Sequence, residues 1–458
     1  METKEITIQK AFDTAARTTG YQYAICFLCF LVAFFDGFDL TIIGVTVPKI
    51  AEYLKEKPSA LGLAMSAGQF GPLVGAILLG MAADRFGRRR TVILSALFFG
   101  LFTLLTVFIT NVEELALLRF IAGIGLGGAV PLAMAYGAEF APSRLRKTFV
   151  AAMFAGVSTG SFFGGLAAAF LLPKWGWQSQ YAFGGIIPLI LVVVLLFCLP
   201  ESLEFLAAKG NKDEKIRKIL MKVVPAIAMD KDYRFKPSQV KRAGAPVKKL
   251  FTEGRASITL LYWIGLIGAI YSLYILLSWV PTFLRQSGAS VVEYSLAFAF
   301  LCLGTTISGF LVGPLMDKGK PFLTLQIGFV LGFFSLIMFG YVAGASYLKV
   351  VVAATIAGFF INGAWGGLLT MAAIAYPPDM RGTATGWAYA IAKIGAMLAP
   401  AVGGFMLAAN WSVVKICTTN AFVGIAVALL TFVLQWRIRV FEKRHNEEEA
   451  ATAVVVSA

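Results

Sequence analysis

The chain has 458 residues, of which 58% are hydrophobic (AVILMFWYC) and only 14% charged, with a formal net charge of +15. Its mean hydropathy is +0.78. Ordinary soluble proteins carry about 25% charged residues, so this composition excludes a soluble enzyme, a disordered chain and, despite the positive charge, a nucleic-acid reader. What remains is an integral membrane protein built of spanning helices, because the apolar runs are long and lack the roughly ten-residue alternation of a membrane barrel.

A helix crosses the hydrocarbon core with about 20 mostly apolar residues. Twelve such stretches follow one another: 22–47, 60–82, 91–110, 115–138, 148–171, 177–199, 258–284, 292–316, 322–343, 349–375, 383–408 and 413–436. The division this implies is an N-terminal segment 1–20, a six-helix bundle 21–200, a basic linker 201–257, a second six-helix bundle 258–438 and a tail 439–458. Residues 1–20 are polar and of mixed charge, so no cleavable leader is expected. Of the 40 Lys and Arg, 31 fall in the segments on the N-terminal side of the membrane and 7 in the opposite loops. That asymmetry predicts both termini in the cytoplasm of a multi-pass plasma-membrane protein. The +15 charge then reflects contact with anionic inner-leaflet lipid. The linker stretch KGNKDEKIRKILMKVV is expected to form short amphipathic helices lying on the membrane surface.

The two halves are predicted to be repeats. Gly80-Met-Ala-Ala-Asp84-Arg85 returns as Gly313-Pro-Leu-Met-Asp317-Lys318 at an offset of 233, and Pro142 with Arg146 returns as Pro377 with Arg381 at an offset of 235. Parallel six-helix repeats are a standard transporter architecture.

In chain order, the first chemistry-bearing stretch is FFDGFDLTIIG, residues 34–44 in the first span. Each carboxylate at mid-membrane costs about 2.5–3.5 kcal/mol, and Asp36 and Asp39, three apart, share a helix face. The loop GMAADRFGRRR (80–90) joins spans two and three, with Asp84 placed to meet a basic group or a helix end and Arg85, Arg88, Arg89 and Arg90 holding the loop inside. Arg119 opens RFIAGIGLGGAVP in the fourth span. An Arg there needs a partner, and a first-span carboxylate is one candidate; a place on the substrate path is the other. Gly123, Gly125, Gly127 and Gly128, and then Gly156, Gly160 and Gly164, read as close helix packing.

The second half supplies aromatics. Tyr271, Tyr274 and Trp365, beside Asn362, sit deep in their spans, whereas Trp279 near a span end reads as an interfacial anchor. Lys393 lies within the eleventh span, and either contacts an anionic substrate or pairs with Asp36 or Asp39. All five cysteines lie within spans, and Cys26-x-x-Cys29 has no second pair and no nearby His, so neither zinc nor a redox role is expected. His445, the single histidine, is in the tail, which leaves carboxylates as the proton carriers. The nucleotide loop G-x-x-x-x-G-K-[ST] is missing from the sequence, which removes ATP-driven pumping. No cofactor is expected.

The 80–90 loop resembles the signature loop of the major facilitator superfamily. Three further features are similar to the aromatic acid:proton symporter family within it: the D-G-F-D pattern at Asp36 and Asp39, Glu139-x-x-Pro142-x-x-x-Arg146 after span four, and RGTATGWAYAIAKIGAMLAPAVGG at 381–404. The superfamily resemblance covers roughly residues 20–440. It implies an all-α membrane protein of twelve helices in two pseudo-symmetric six-helix bundles, not an enzyme. The implied activity is proton-coupled import of an aromatic carboxylate by alternating access, in a protein that works as a monomer. For such a transporter the residues themselves point to proton coupling at Asp36 and Asp39, gating at Asp84, Arg85, Arg88, Glu139 and Arg146, and substrate contact at Arg119, Lys393, Tyr271, Tyr274, Asn362 and Trp365. Lys393 stands where this family usually has Arg, which keeps the charge but loses the bidentate fork. Import of a non-aromatic organic acid, or export by proton antiport, are the alternatives.

Overall fold

A computed structural model describes residues 4–15, 17–210, 213–230, 233–238, 247–377 and 380–457. The chain divides into two compact units, Met1–Arg242 and Ala243–Ala458, so that most of the linker belongs with the first. The first unit runs β1 (Lys4–Thr7), α1 (Ile8–Asp13), α2 (Gly20–Leu54), α3 (Leu61–Phe86), α4 (Arg88–Leu105), α5 (Val112–Phe140), α6 (Arg146–Cys198), α7 (Leu203–Lys209), α8 (Asp213–Leu220), α9 (Pro225–Met229) and β2 (Tyr233–Lys236). The second runs α10 (Ala256–Gln286), α11 (Val291–Asp317), α12 (Pro321–Val342), α13 (Tyr347–Thr370), α14 (Ala372–Ala375), α15 (Arg381–Ala408) and α16 (Val413–Ser457). The side chain of His445, in α16, lies outside the described residues.

Among the described residues, 11 helices are long and apolar enough to cross a membrane, against twelve apolar stretches in the sequence. The difference lies in α6. Its 53 residues would make a rod of about 80 Å, far longer than a core of about 30 Å. Gly176 breaks it at φ 73°, ψ 179°, a conformation that only glycine adopts readily. Four residues later the Gln180 amide donates to the carbonyl of Gly164 at 2.8 Å, across 16 residues; a straight helix would hold those two residues about 24 Å apart. The chain therefore folds back at Gly176, and α6 supplies two of twelve spans.

Local signals start and stop the helices. Thr19 and Gln22 form a capping box at α2, as Ser290 and Glu293 do at α11. Gly87, at φ 102°, ends α3, and Gly319, at φ 91°, follows α11. The repeat is visible in the packing: α2 packs chiefly on α6 and α3 on α5, while in the second unit α10 packs on α15 and α11 on α13. Both α6 and α15 begin at the repeated arginines, Arg146 and Arg381. Small residues make these contacts close. A Cβ on Gly37 would strike the backbone of Val157, and one on Gly160 the backbone of Phe34, so α2 and the first half of α6 touch main chain to main chain.

The N-terminal segment and linker differ from the sequence expectation. Residues 4–7 and 233–236 pair as a two-stranded parallel sheet, with Lys4 opposite Tyr233 and Thr7 opposite Lys236. Lys236 reaches Glu5 at 2.5 Å, and Ser238 accepts from the Gln9 backbone at 2.8 Å while its own N–H donates to Glu204 at 2.8 Å. The linker does contain an amphipathic helix, α8, but Ile216 and Leu220 on its apolar side are buried within the protein. Its apolar face is covered by the chain rather than by lipid.

The N-terminal arm is also fastened to the turn after α5. Asp13 accepts from Ser143 N at 2.7 Å and Ser143 Oγ at 2.6 Å, and Gln9 donates to the Ala141 carbonyl at 3.1 Å. Partial burial pushes the Asp13 carboxyl up, but the Ser143 hydrogen bonds, with Gln9 and Arg144, outweigh it and hold the group below its ordinary 3.8. A depressed carboxyl stabilises the fold above its unfolded pKa and loses that contribution as pH falls through the folded value. The Ser143 amide should therefore be protected from hydrogen exchange at pH 6 and lose much of that protection below the ordinary carboxylate range. Asp13→Asn should show low protection at both. Equal protection factors in the two proteins would show that Asp13 does not fasten the arm.

Candidate functional site

The first unit buries a charged pair. Asp39, on α2, is 0% exposed and Arg119, on α5, 4%. Arg119 Nη1 donates to Asp39 Oδ1 at 3.1 Å, and Nη2 pairs with Oδ2. From α4, Thr103 Oγ1 donates to Asp39 Oδ1 at 2.6 Å and stands 3.4 Å from Arg119 Nη1. From α6, the ring of Tyr181 lies 5.7 Å from the guanidinium carbon, with its hydroxyl 3.4 Å from Thr46 Oγ1 on α2. Four helices thus converge on one ion pair. The bidentate fork of Arg suits this site, and the aromatic face adds a cation–π contact. The sequence left open which aspartate Arg119 meets; the structure pairs it with Asp39. Asp36, one turn earlier, is half-buried.

A second cluster lies where α4 begins and α5 ends. Arg88 pairs with Glu139, whose other oxygen accepts from Ser202 Oγ. Asp84, Glu204 and Arg146 are close enough to act on the Arg88 charge. Arg89 N and Ser202 N both donate to Glu201 Oε1, at 3.1 and 2.9 Å. Thus Asp84, Arg88, Glu139 and Arg146 come together. Arg85 stands apart, exposed, with its guanidinium 5.4 Å from the Phe86 ring.

In the second unit, Lys393 on α15 is half-buried, its ammonium 6.0 Å from the Tyr274 ring centroid and 5.2 Å from that of Tyr389. Tyr274 and Trp365 are buried and Tyr271 half-buried. Asn362 commits its amide nitrogen to α11, donating to the Thr305 carbonyl and to Ser308 Oγ, both at 2.9 Å. Trp279 is not an interfacial anchor. It is fully buried, its indole N–H donates to the Pro400 carbonyl at 3.1 Å, and it fills the space beside Gly403. Its place near a span end in the sequence concealed a packing role between α10 and α15.

Sequence reasoning missed Thr103, Tyr181, Ser202 and Glu201. None carries a local signal: a threonine in FFGLFTLLT looks like any other spanning-helix threonine, and Ser202 and Glu201 sit in a linker read only by its charge. Among the described residues, no group of three or more His, Cys, Asp or Glu side chains is placed to hold a metal ion.

Removing one member of a buried pair strands the other charge, at about 3–5 kcal/mol, whereas removing both is far milder. Arg119→Ala should lower the melting midpoint in detergent sharply, and adding Asp39→Asn should recover most of the loss. An Arg119→Ala midpoint equal to wild type would show that Asp39 and Arg119 are not energetically coupled.

The family model for the Major Facilitator Superfamily matches residues 29–348 and 288–458. The 4-hydroxybenzoate transporter PcaK of Pseudomonas aeruginosa is 35% identical over 413 residues, spanning 89% of this chain and 91% of that protein. The gallate transporter of Pseudomonas putida is 33% identical over 411 residues, 90% of this chain and 91% of its own. Among solved structures, the xylose transporter XylE from E. coli, in a partially occluded inward open conformation, superposes with a TM-score of 0.68 at 19% identity, over 90% of this chain and 98% of that one; it bears on the fold alone. With the family model matching most of its length and curated relatives above 30% identity along nearly all of it, the chain belongs to the aromatic acid transporters of the Major Facilitator Superfamily.

Proposed function

We propose that this protein imports an aromatic carboxylate together with a proton by alternating access, as a monomer in the plasma membrane with both termini in the cytoplasm. The observation that carries the coupling is the fully buried Asp39–Arg119 pair. The names of the relatives carry the substrate class.

The energetics favour a proton as partner. A monoanion entering a cell with a negative interior is opposed by about 2.3 kcal/mol per 100 mV. One co-transported proton cancels that charge and adds about 1.4 kcal/mol per pH unit of gradient. A proton landing on Asp39 ends its attraction for Arg119, and the guanidinium then favours an incoming carboxylate. Loss of the proton restores the pair and favours release of the substrate. Asp36, one turn earlier on α2, is the second candidate carrier.

In the second unit, Lys393 offers a point charge to the substrate carboxylate, with Tyr274, Tyr271 and Trp365 supplying ring contacts of about 0.5–1.5 kcal/mol each. Asn362, its nitrogen engaged by α11, offers its oxygen to a ring hydroxyl. The ion network of Asp84, Arg88, Glu139 and Arg146 serves as a gate that must open and re-form in each cycle, with the exposed Arg85 holding the loop on the inner side.

The test is uptake into proteoliposomes of labelled benzoate, 4-hydroxybenzoate, phthalate, a hexose and an aliphatic dicarboxylate, with and without an inward proton gradient. A ring carboxylate should accumulate only with the gradient. Asp39→Asn should lose that accumulation while retaining exchange of labelled for unlabelled substrate. Gradient-driven accumulation by Asp39→Asn would sink the coupling role, and uptake of only the hexose or the aliphatic acid would sink the substrate class.

A further inference from the structure

The groups facing Asp39 differ in what they can do once it carries a proton. Of the titratable side chains, Arg119 on α5 meets it directly and Tyr181 on α6 lies against Arg119, while Asp36 stands one turn earlier on α2. The neighbouring α3 approaches Arg119 at Gly68, and α4 contributes Thr103, which does not titrate.

Thr103 behaves unlike the other threonines around it. A threonine inside a spanning helix normally returns its hydroxyl to a carbonyl one turn back. On α4 Thr91 donates to Gly87 O at 2.9 Å, and at its C-cap Thr106 donates to Phe102 O at 2.8 Å. On α2, Thr41 and Thr46 donate to Phe38 O and Ile42 O, both at 2.7 Å. Thr103, fully buried, instead sends its hydroxyl across to Asp39 at 2.6 Å. Its oxygen also lies within 3.4 Å of Arg119 Nη1, so one hydroxyl touches both members of the pair.

We infer that Thr103 is a positioning residue that sets the proton concentration at which the Asp39–Arg119 pair switches; the inference rests on the proposed role of Asp39 as proton carrier. An ionised carboxylate only accepts, and a guanidinium only donates. When a proton from water on the acidic side bonds to an Asp39 oxygen, the carboxyl becomes a donor that Arg119 cannot receive. Thr103 can reverse, accepting from the new O–H, and with its remaining lone pair it still faces Arg119 Nη1. The only covalent bond that forms and later breaks is the Asp39 O–H, whose proton leaves to water on the other side, while the Thr103 hydrogen turns to a carbonyl of its own helix, as those of Thr91 and Thr106 do. The hydroxyl therefore serves both states, but unequally. Its bond to the carboxylate is charge-assisted and roughly twice as strong as its bond to the neutral acid. On balance Thr103 favours the ionised, paired state.

The experiment is gradient-driven uptake in proteoliposomes as a function of external pH for wild type, Thr103→Val, Thr103→Ser and Asp39→Asn, with substrate exchange at equal pH in parallel. Thr103→Val keeps the shape and loses the hydroxyl. Its uptake profile should move toward alkaline pH by about one unit, a tenfold change in proton concentration, with the KM for exchange within about twofold of wild type. Thr103→Ser should restore the wild-type profile. Thr103→Ala, which leaves space rather than filling it, should shift as Val does, so the result does not depend on how Val packs. A Thr103→Val profile that coincides with wild type overturns the inference. So does equal loss of exchange and melting midpoint in Val and Ser, since that would mark a structural role alone. Normal pH-dependent accumulation by Asp39→Asn would instead refute Asp39 as carrier, whatever the Thr103 variants do.

Discussion

A carboxylate and a guanidinium buried together among helices rich in apolar and small residues form the interaction on which the rest of the first half depends. Desolvating two ions consumes most of what their attraction returns, so the Asp39–Arg119 pair adds little to net stability while its rupture is costly. In the proposed cycle that asymmetry gives one proton large leverage. It also makes demands on the backbone, because Asp39 and Arg119 meet only if α2, α4, α5 and α6 approach closely. Lipid tails are as apolar as leucine, so no hydrophobic force drives the helices together. Gly37 against Val157, Gly160 against Phe34, and Gly125 against Ser95 and Phe99 make the approach possible through main-chain contact. The glycine stripes and the buried charges are two parts of one arrangement.

What could be read from the sequence follows from how far each signal reaches along the chain. A span is a local property of some 20 residues, so twelve were countable, and α6 confirms the count by folding back at Gly176. Asp36, Asp39 and Arg119 stood out because ionisable groups in an apolar run are rare and need partners. Which partner each takes is a property of the packed bundle, and there the reading stopped at a choice. Thr103 was invisible because its local pattern matches that of Thr91 and Thr106; only the direction of one hydroxyl separates them. The β1–β2 pair was hidden for another reason: each strand has four residues, and the two are joined across more than 220 positions. Trp279 was misjudged because span ends favour interfacial tryptophan, and a local rule does not register Pro400 and Gly403 of a neighbouring helix.

The second cluster ties together parts of the chain that are far apart in sequence. Glu139 ends α5, Arg88 begins α4, and Ser202 begins α7's cap; all three share one carboxylate. Glu201 then holds the backbone of Arg89 through an oxygen it also turns toward Ser202, and the N-terminal arm fastens the turn at 141–143 through Gln9 and Asp13. An element leaving this network strands a polar group that must find water or another partner. The arm and linker are therefore part of the same mechanical unit as the Arg88–Glu139 cluster, although nothing in their composition distinguishes them from a solvated tether.

The two basic residues within spans are matched to different tasks in the proposed cycle. Arg119 meets a permanent carboxylate of the same chain, and a planar fork that binds both oxygens suits a partner whose position is fixed by four helices. Lys393 lies over the rings of Tyr274 and Tyr389. A compact ammonium on a flexible stem loses little when a carboxylate presents itself at a slightly different angle, and the rings stabilise the charge between visits by about 0.5–2 kcal/mol. An arginine at position 393 would bind a carboxylate more rigidly and release it more slowly. If Lys393 takes the substrate carboxylate as proposed, the site exchanges geometric selectivity there for tolerance, and the burden of choosing a substrate passes to the groups that contact its ring.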